Sequence, residues 1–150
     1  MDYRVSSAPV ILIRVLVGWV FFVEGILKFA WWNDLGVGRF AAIGIPVPAA
    51  MGPFVGAVEI ICGALILIGL FTRLASIPLL IDIFVAIIST KIPIWLGHAY
   101  WRFSLPQLKH YGFASMLHEA RTDISMVVGL IFLLIAGGGS LSIDALRNRQ

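Results

Sequence analysis

Residues 9–29 read PVILIRVLVGWVFFVEGILKF, an almost unbroken apolar run that carries three charged side chains, Arg14, Glu24 and Lys28. About 20 apolar residues are enough for an α-helix to cross the hydrocarbon core of a bilayer. At about 100° per residue, Arg14 and Lys28 fall on one side of this helix, with Glu24 beside them. A charge inside a membrane helix costs a few kcal/mol, so that side must face protein or enclosed water. The run predicts a membrane helix that other helices cover.

The composition of the whole chain supports a membrane protein. Of its 150 residues, 60% are hydrophobic and 13% are charged, whereas soluble domains average about 45–50% and 25%. The net charge is +3, but the basic residues stand at the ends of apolar runs instead of gathering on one face. We therefore interpret them as membrane anchors, with the lipid bilayer as the main partner, and exclude nucleic acid as a partner.

Three further apolar runs follow, at residues 53–70, 74–90 and 122–138. Residues 30–52 are punctuated by glycine and proline, which predicts a connection instead of a helix. Only three residues separate the second and third runs, so these must form an antiparallel hairpin. The sequence predicts an all-α fold, an integral membrane four-helix antiparallel bundle in a single domain, with spans at about 9–29, 53–70, 74–90 and 122–138.

Residues 91–121 differ from the apolar runs. They contain all three histidines and two of the five tryptophans, and their charges are too frequent for a membrane span. Aromatic residues facing lipid and basic residues facing water are typical of an interfacial segment. We predict an amphipathic segment lying along the membrane surface between the third and fourth helices.

Glycines on two of the predicted helices indicate where helices pack closely. Gly18 and Gly25 fall on the charged side of the first helix, and Gly52, Gly56 and Gly63 share a face of the second. Small residues four apart let two membrane helices approach each other closely. We predict that these five glycines pack the helices together.

Charged residues inside the spans predict a polar chamber. Its candidate residues are Arg14, Glu24, Lys28, Glu59, Asp82 and Asp123. Positions along antiparallel helices place Glu24 and Glu59 at similar depth, and they place Arg14 about 6 Å from Asp82 in height, at about 1.5 Å per residue.

Two interpretations of this chamber stay open. In the structural one, Glu24 pairs with Lys28 four residues later and Arg14 pairs with Asp82 across helices, and these pairs fix the packing. In the functional one, Glu24 and Glu59 relay protons or bind a polar head group.

Motifs for metals and cofactors are missing from the sequence. His98, His110 and His118 lie outside the predicted spans, which disfavours a bis-histidine haem, and their spacing matches no compact metal motif. A metal site that includes Glu119 or Asp123 is the weaker alternative. The sequence has one cysteine, which gives no internal disulfide and no CxxC pair. We therefore predict no metal site and no intrinsic cofactor.

Three spaced motifs carry a family resemblance. They are R-x3-G-x6-G-x2-K at Arg14, Gly18, Gly25 and Lys28, G-x2-E-x3-G-x5-G-x3-R at Gly56, Glu59, Gly63, Gly69 and Arg73, and a closing G-x-G-S-L-S-I-D that ends at Asp144. With these motifs in this order, the chain resembles the DoxX family of small four-helix membrane proteins over nearly its whole length.

The resemblance implies a multi-pass protein of the bacterial or archaeal cytoplasmic (inner) membrane. Family members take their name from a subunit found with a terminal quinol oxidase, and a related subunit belongs to a thiosulfate:quinone oxidoreductase. It therefore implies an accessory membrane subunit of a redox system, which handles quinone or protons for a partner oxidoreductase and is not a self-sufficient enzyme. The alternatives are a non-catalytic membrane scaffold or assembly protein, or a small-solute transporter. The sequence also leaves a homo-oligomer open.

Overall fold

The structure is a computed structural model that describes residues 7–147. Its elements are α1 (Ser7–Ala30), α2 (Val37–Ile43), α3 (Pro48–Ile68), α4 (Thr72–Ala86), a π-helical turn (Ile87–Lys91), α5 (Ile92–Leu96), α6 (Phe113–Ala136) and α7 (Ile143–Arg147). Residues 7–147 contain no β-strand, only an isolated bridge between Tyr100 and Phe103. The predicted all-α class is confirmed.

Three stretches are long and apolar enough to cross a membrane, and the chain is a membrane protein. They are Pro9–Ala30, Pro48–Ile68 and Thr72–Leu96. Large apolar side chains on their outer faces are well exposed, for example Leu12 at 71% and Ile61 at 59%, as expected for faces that contact lipid. The helix α6 has 24 residues, but its first half carries Glu119, Arg121 and Asp123. Its crossing of the membrane stays a prediction.

The four long helices pack around a common apolar core. α1 lies along α3 and also contacts α6, while α4 contacts both α3 and α6. The core includes Val17 of α1, Ile66 of α3, Leu79 of α4 and Leu130 of α6, each of which is fully buried. The short helices α2 and α5 lie against α3 and α6.

The helix bounds differ from the predicted spans at three places. α3 begins at Pro48 and holds Pro53 inside it, although Pro53 was predicted to start the helix. The third helical stretch runs on through the π-helical turn to Leu96. Pro93 explains the turn, because a proline ring displaces the carbonyl four residues earlier and a π-helical turn makes room for it. α6 begins at Phe113 and ends at Ala136.

The predicted interfacial segment is not one element. Residues 91–121 comprise the end of the π-helical turn, α5, an irregular stretch at 97–112 and the start of α6. Hydrogen bonds tie the irregular stretch to its surroundings, for example from the Ser104 amide to the Ile43 carbonyl (2.9 Å) and from the Gly112 amide to the Ile94 carbonyl (3.0 Å). Its position in the membrane interface stays a prediction.

The molecule has two ends with different contents. We call the end that holds α2 and residues 97–112 the loop end. We call the end that holds the turn between α3 and α4 and residues 137–144 the tail end.

The connection predicted at residues 30–52 contains α2, seven residues long, which the glycine and proline pattern concealed.

Glycines hold α1 and α3 in close contact. A Cβ added at Gly25 would lie 2.7 Å from the Gly56 carbonyl oxygen, and one added at Gly63 would lie 2.9 Å from that of Gly18. Both distances are shorter than normal contacts to backbone, so these positions exclude any larger residue without separating the helices. Gly52 instead lies against Val37 of α2.

We expect Gly25→Ala to destabilise the protein by about 1–3 kcal/mol, the usual cost of overpacking a close interface. The added methyl group would meet backbone atoms of α3, which cannot rotate away. Ala30→Val is the matched control, because Ala30 is an exposed residue of α1. The free energy of unfolding in mixed detergent micelles measures both. Equal stability of Gly25→Ala and Ala30→Val would contradict the close contact.

Candidate functional site

A cavity of about 670 Å³ opens between the long helices toward the loop end. α1, α2, α3, α4, the π-helical turn and α6 all contribute to its wall. Most of the wall is apolar, as at Phe21, Phe40, Phe54 and Val58. Its volume lies within the range of about 300–1,000 Å³ that is typical of small-molecule sites.

Three charged side chains from three helices meet in the wall of this cavity. Lys28 of α1 and Glu59 of α3 form an ion pair with 2.7 Å between Nζ and Oε2. Glu59 is only 4% exposed. Asp82 of α4 is half-buried and lies beside both. We call Lys28, Glu59 and Asp82 the carboxyl cluster.

A second ion pair stands closer to the loop end. Nζ of Lys91, in the π-helical turn, lies 3.2 Å from Oδ2 of Asp123 in α6. The π-helical turn also brings Ser89 and Thr90 into the cavity wall, and their hydroxyls donate to the Ala86 carbonyl at 3.3 and 2.6 Å. A π-helical turn often marks a functional site, because it shifts the side chains of one turn out of the regular helical positions.

The cavity contains more acidic than basic side chains. The acidic ones are Glu24, Glu59, Asp82, Glu119 and Asp123, and the basic ones are Lys28, Arg39 and Lys91. A cavity with this excess of carboxylates repels an anion and suits a neutral or cationic ligand.

The structure brings five of the six predicted chamber residues together. Glu24, Lys28, Glu59, Asp82 and Asp123 line the cavity. The predicted pairing of Glu24 with Lys28 is wrong, because the carboxylate that contacts Lys28 is that of Glu59. Glu24 is exposed, so solvation or the lipid head groups can satisfy its charge without a lysine.

Arg14, the sixth predicted chamber residue, lies outside the cavity, buried at the tail end. Its Nε donates to the Ile66 carbonyl (3.0 Å) and its Nη2 to the Leu67 carbonyl (2.7 Å), while Nη1 donates to the carbonyls of Gly138 (2.9 Å) and Leu141 (3.0 Å). The predicted pairing of Arg14 with Asp82 is therefore wrong. Ile66 and Leu67 belong to the last turn of α3, whose carbonyls have no partner within the helix and attract a cation.

Other polar groups close the tail end in the same way. The two carboxylate oxygens of Asp144 accept hydrogen bonds from the Phe71 amide (2.8 Å) and the Thr72 amide (3.1 Å) at the start of α4. Arg73 donates to the Ile135 carbonyl near the end of α6 (2.9 Å). A Cβ added at Gly69 would lie 2.7 Å from Cζ of Arg14. Side chains far apart in sequence thus satisfy helix ends here.

The chain is similar in sequence to a known protein family. The DoxX family profile matches residues 10–92. The chain belongs to the DoxX family. It is 49% identical over 135 residues to an uncharacterized membrane protein of Mycobacterium tuberculosis, Rv3486, covering 90% of this chain and 78% of that protein. It is 32% identical over 96 residues to the Bacillus subtilis protein named "Putative oxidoreductase CatD", covering 63% of this chain and 69% of that protein. No solved structure matches the chain.

The DoxX chain also holds site residues that the sequence did not suggest. Arg39, Ser89 and Thr90 line the cavity. The glycine and proline pattern at residues 30–52 predicts a connection and therefore hides Arg39, which lies in α2. The π-helical turn that presents Ser89 and Thr90 does have a signal in the sequence, Pro93. Among residues 7–147, no group of three or more His, Cys, Asp or Glu side chains could hold a metal ion.

We expect Arg14→Lys to destabilise the protein by about 2 kcal/mol or more, because lysine cannot reproduce the planar fork that reaches four carbonyls. The variant Arg147→Lys, at an exposed arginine near the same end, is the control. Combining Arg14→Lys with Asp82→Asn should add the two separate effects within about 0.5 kcal/mol, since the residues share no contact. If the free energies of unfolding in detergent show a strong coupling between the two substitutions, Arg14 and Asp82 do form a pair.

We expect Lys28→Met to destabilise the protein by about 3–5 kcal/mol, because it leaves Glu59 as a buried carboxylate without its cation. Adding Glu59→Gln to that variant should recover most of the loss. Glu24→Gln serves as the control at an exposed carboxylate of the same cavity and should change stability little. Unfolding curves measure the stability of each variant. A double variant that is less stable than Lys28→Met alone would contradict the ion pair.

Proposed function

We propose that this protein is an accessory membrane subunit of a redox system, which handles quinone or protons for a partner oxidoreductase. The observation that carries the proposal is the carboxyl cluster in the wall of an apolar cavity of about 670 Å³. Buried ionisable groups inside a membrane protein are costly and commonly mark ligand or proton sites. In this proposal the partner enzyme performs the electron transfer.

A quinone suits the chemistry of this cavity. Its ring and isoprenoid tail are apolar and match the aromatic and aliphatic wall. Its carbonyl oxygens accept hydrogen bonds, which the Lys28 ammonium can donate. A quinone is also neutral, so the excess of acidic side chains in the wall does not repel it. The name of the Bacillus subtilis relative adds support for a redox role.

The proposal includes a membrane arrangement. We propose that α6 is the fourth span of an antiparallel bundle in the bacterial or archaeal cytoplasmic membrane. Its 24 residues extend about 36 Å at about 1.5 Å per residue, and Val128 and Ile135 in its apolar half are 63% and 72% exposed. Residues 97–112 then lie in the interface at the loop end, with the start of α1 and α7 at the tail end.

The scaffold alternative also has support from the structure. A scaffold or assembly protein needs only fixed helices, and the contacts of Arg14 and Asp144 supply this. The transporter alternative has less support, because the cavity is separated from the tail end by the buried apolar side chains of Val17, Ile66, Leu79 and Leu133. A polar path through the whole molecule would have to pass that layer.

We expect Val58→Trp to reduce labelling by an azido-quinone probe at least fivefold, because Val58 lines the cavity and an indole there occupies ligand space. Ile61→Trp is the matched control. It lies on the same helix, is 59% exposed on the outer face and should be labelled like the parent. Mass spectrometry of the purified, photolysed protein locates the label. Both variants must elute from gel filtration like the parent for the comparison to count.

Two results would contradict the quinone assignment. Equal labelling of the Val58→Trp and Ile61→Trp variants would mean that the probe binds elsewhere. A label confined to the outer faces of the helices would reflect partition of the probe into detergent. In either case the scaffold alternative gains support.

A further inference from the structure

A second cavity lies beside the first at the loop end. Its volume is about 560 Å³, and its wall is formed by α2, residues 104–108, the π-helical turn and α6. Five residues line both cavities, namely Arg39, Ile43, Thr90, Lys91 and Glu119. The two spaces therefore meet at these residues, which we call the junction.

The second cavity has several hydrogen-bonding side chains in its wall. Asn33, Asp34, Ser104 and Gln107 line it in addition to the charged residues of the junction. A cavity of this size with several hydrogen-bonding groups holds ordered water, whereas a dry cavity needs an apolar wall. The loop end thus offers a space with room and hydrogen-bonding partners for water, and this space reaches the junction.

Carboxylates continue inward from the junction. Glu119 stands at the junction, and Asp123 follows one helical turn deeper on α6, about 6 Å along the axis. The carboxyl cluster lies farther along the same cavity. Beyond the cavity, toward the tail end, lie fully buried apolar core residues, including Val17, Leu79 and Leu130.

We propose that the two cavities form one hydrated route that carries protons between the aqueous phase at the loop end and Glu59 and Asp82, with no matching route from the tail end. In each transfer an O–H bond of a hydronium ion or carboxylic acid breaks and an O–H bond forms on the next acceptor, and no electron moves. The inference deepens the proton-handling half of the proposed function. It does not depend on a quinone.

The net charge of the carboxyl cluster favours the binding of one proton. Two carboxylates beside one ammonium carry a net charge of −1, and one proton makes the group neutral. The charged groups that face it are Glu24 and Lys28 on α1, Arg39 on α2, Glu59 on α3, Asp82 on α4, Lys91 in the π-helical turn, and Glu119 and Asp123 on α6. Since burial in a membrane disfavours net charge, a single shared proton suits this site.

Cysteine accessibility tests the route. In a Cys62→Ala background, single cysteines replace Gln107 in the second cavity, Thr90 at the junction and Ala86 in the first cavity. Ile61 on the outer face and Ala75 in the core toward the tail end provide control positions. Membrane-impermeant methanethiosulfonates react with thiolates, which form only where water reaches the thiol.

We expect the cysteines at 107, 90 and 86 to react from one and the same side of sealed membranes. At position 86, the rate with the cationic trimethylammonium reagent divided by the rate with the anionic sulfonate reagent should be about tenfold higher than the same ratio for a free thiol in solution, because carboxylates predominate there. Cysteines at 61 and 75 should react from neither side. An unreactive cysteine at 86 beside a reactive one at 107 would overturn the route, and so would reaction at 75 from the tail end.

Labelling by dicyclohexylcarbodiimide supplies a second measurement on the parent chain. This apolar reagent adds to protonated carboxyl groups, so the adduct at Glu59 or Asp82 should decrease as the buffer pH at the loop end rises. Changing the pH at the tail end alone should have no effect. The adduct should disappear in Glu59→Gln/Asp82→Asn and persist in Glu24→Gln. An adduct that follows the tail-end pH would overturn the proposal even if a quinone binds.

Discussion

The buried guanidinium of Arg14 holds the tail end of the molecule together. Two of its hydrogen bonds reach the final turn of α3 and two reach the chain just after α6, so one side chain of α1 fixes three parts of the structure. Carbonyls at a helix end need a donor, and inside a membrane protein water is not available to supply one. A rigid fork of five N–H donors meets that need better than any other side chain.

This use of Arg14 determines what the carboxylates can do. Because the guanidinium donates from all three of its nitrogens to backbone carbonyls at the tail end, Asp82 has no arginine partner and lies beside Glu59 and Lys28. Asp144 in turn is committed to two amides at the start of α4. The tail end is thus closed by groups that cap helices, and the unbalanced acidic groups collect in the cavity nearer the loop end.

The sequence predicted the helices and the charged side of α1 because these depend on local periodicity and on the cost of charge in lipid. It did not predict the partners correctly. Height along the helix axis alone pairs Arg14 with Asp82, whereas the guanidinium in fact donates to the Ile66 and Leu67 carbonyls at the end of α3. The short helix α2 was missed because tertiary contact with α3 stabilises it, and no local pattern reports such a contact.

The close packing of α1 on α3 and the ion pair in the cavity depend on each other. A Cβ added at Gly56 would lie 2.8 Å from the Phe29 ring and 3.4 Å from Cβ of Lys28, so the glycine contact sets how near Lys28 comes to Glu59. Such an ion pair adds little net stability, since apolar residues in place of a buried pair are often as stable or more so. The packing at Gly25 and Gly56 already holds these two helices together without it. A charged cluster that stability does not require, in the wall of a cavity large enough for a ligand, therefore supports our proposal that the cluster binds a ligand or transfers protons.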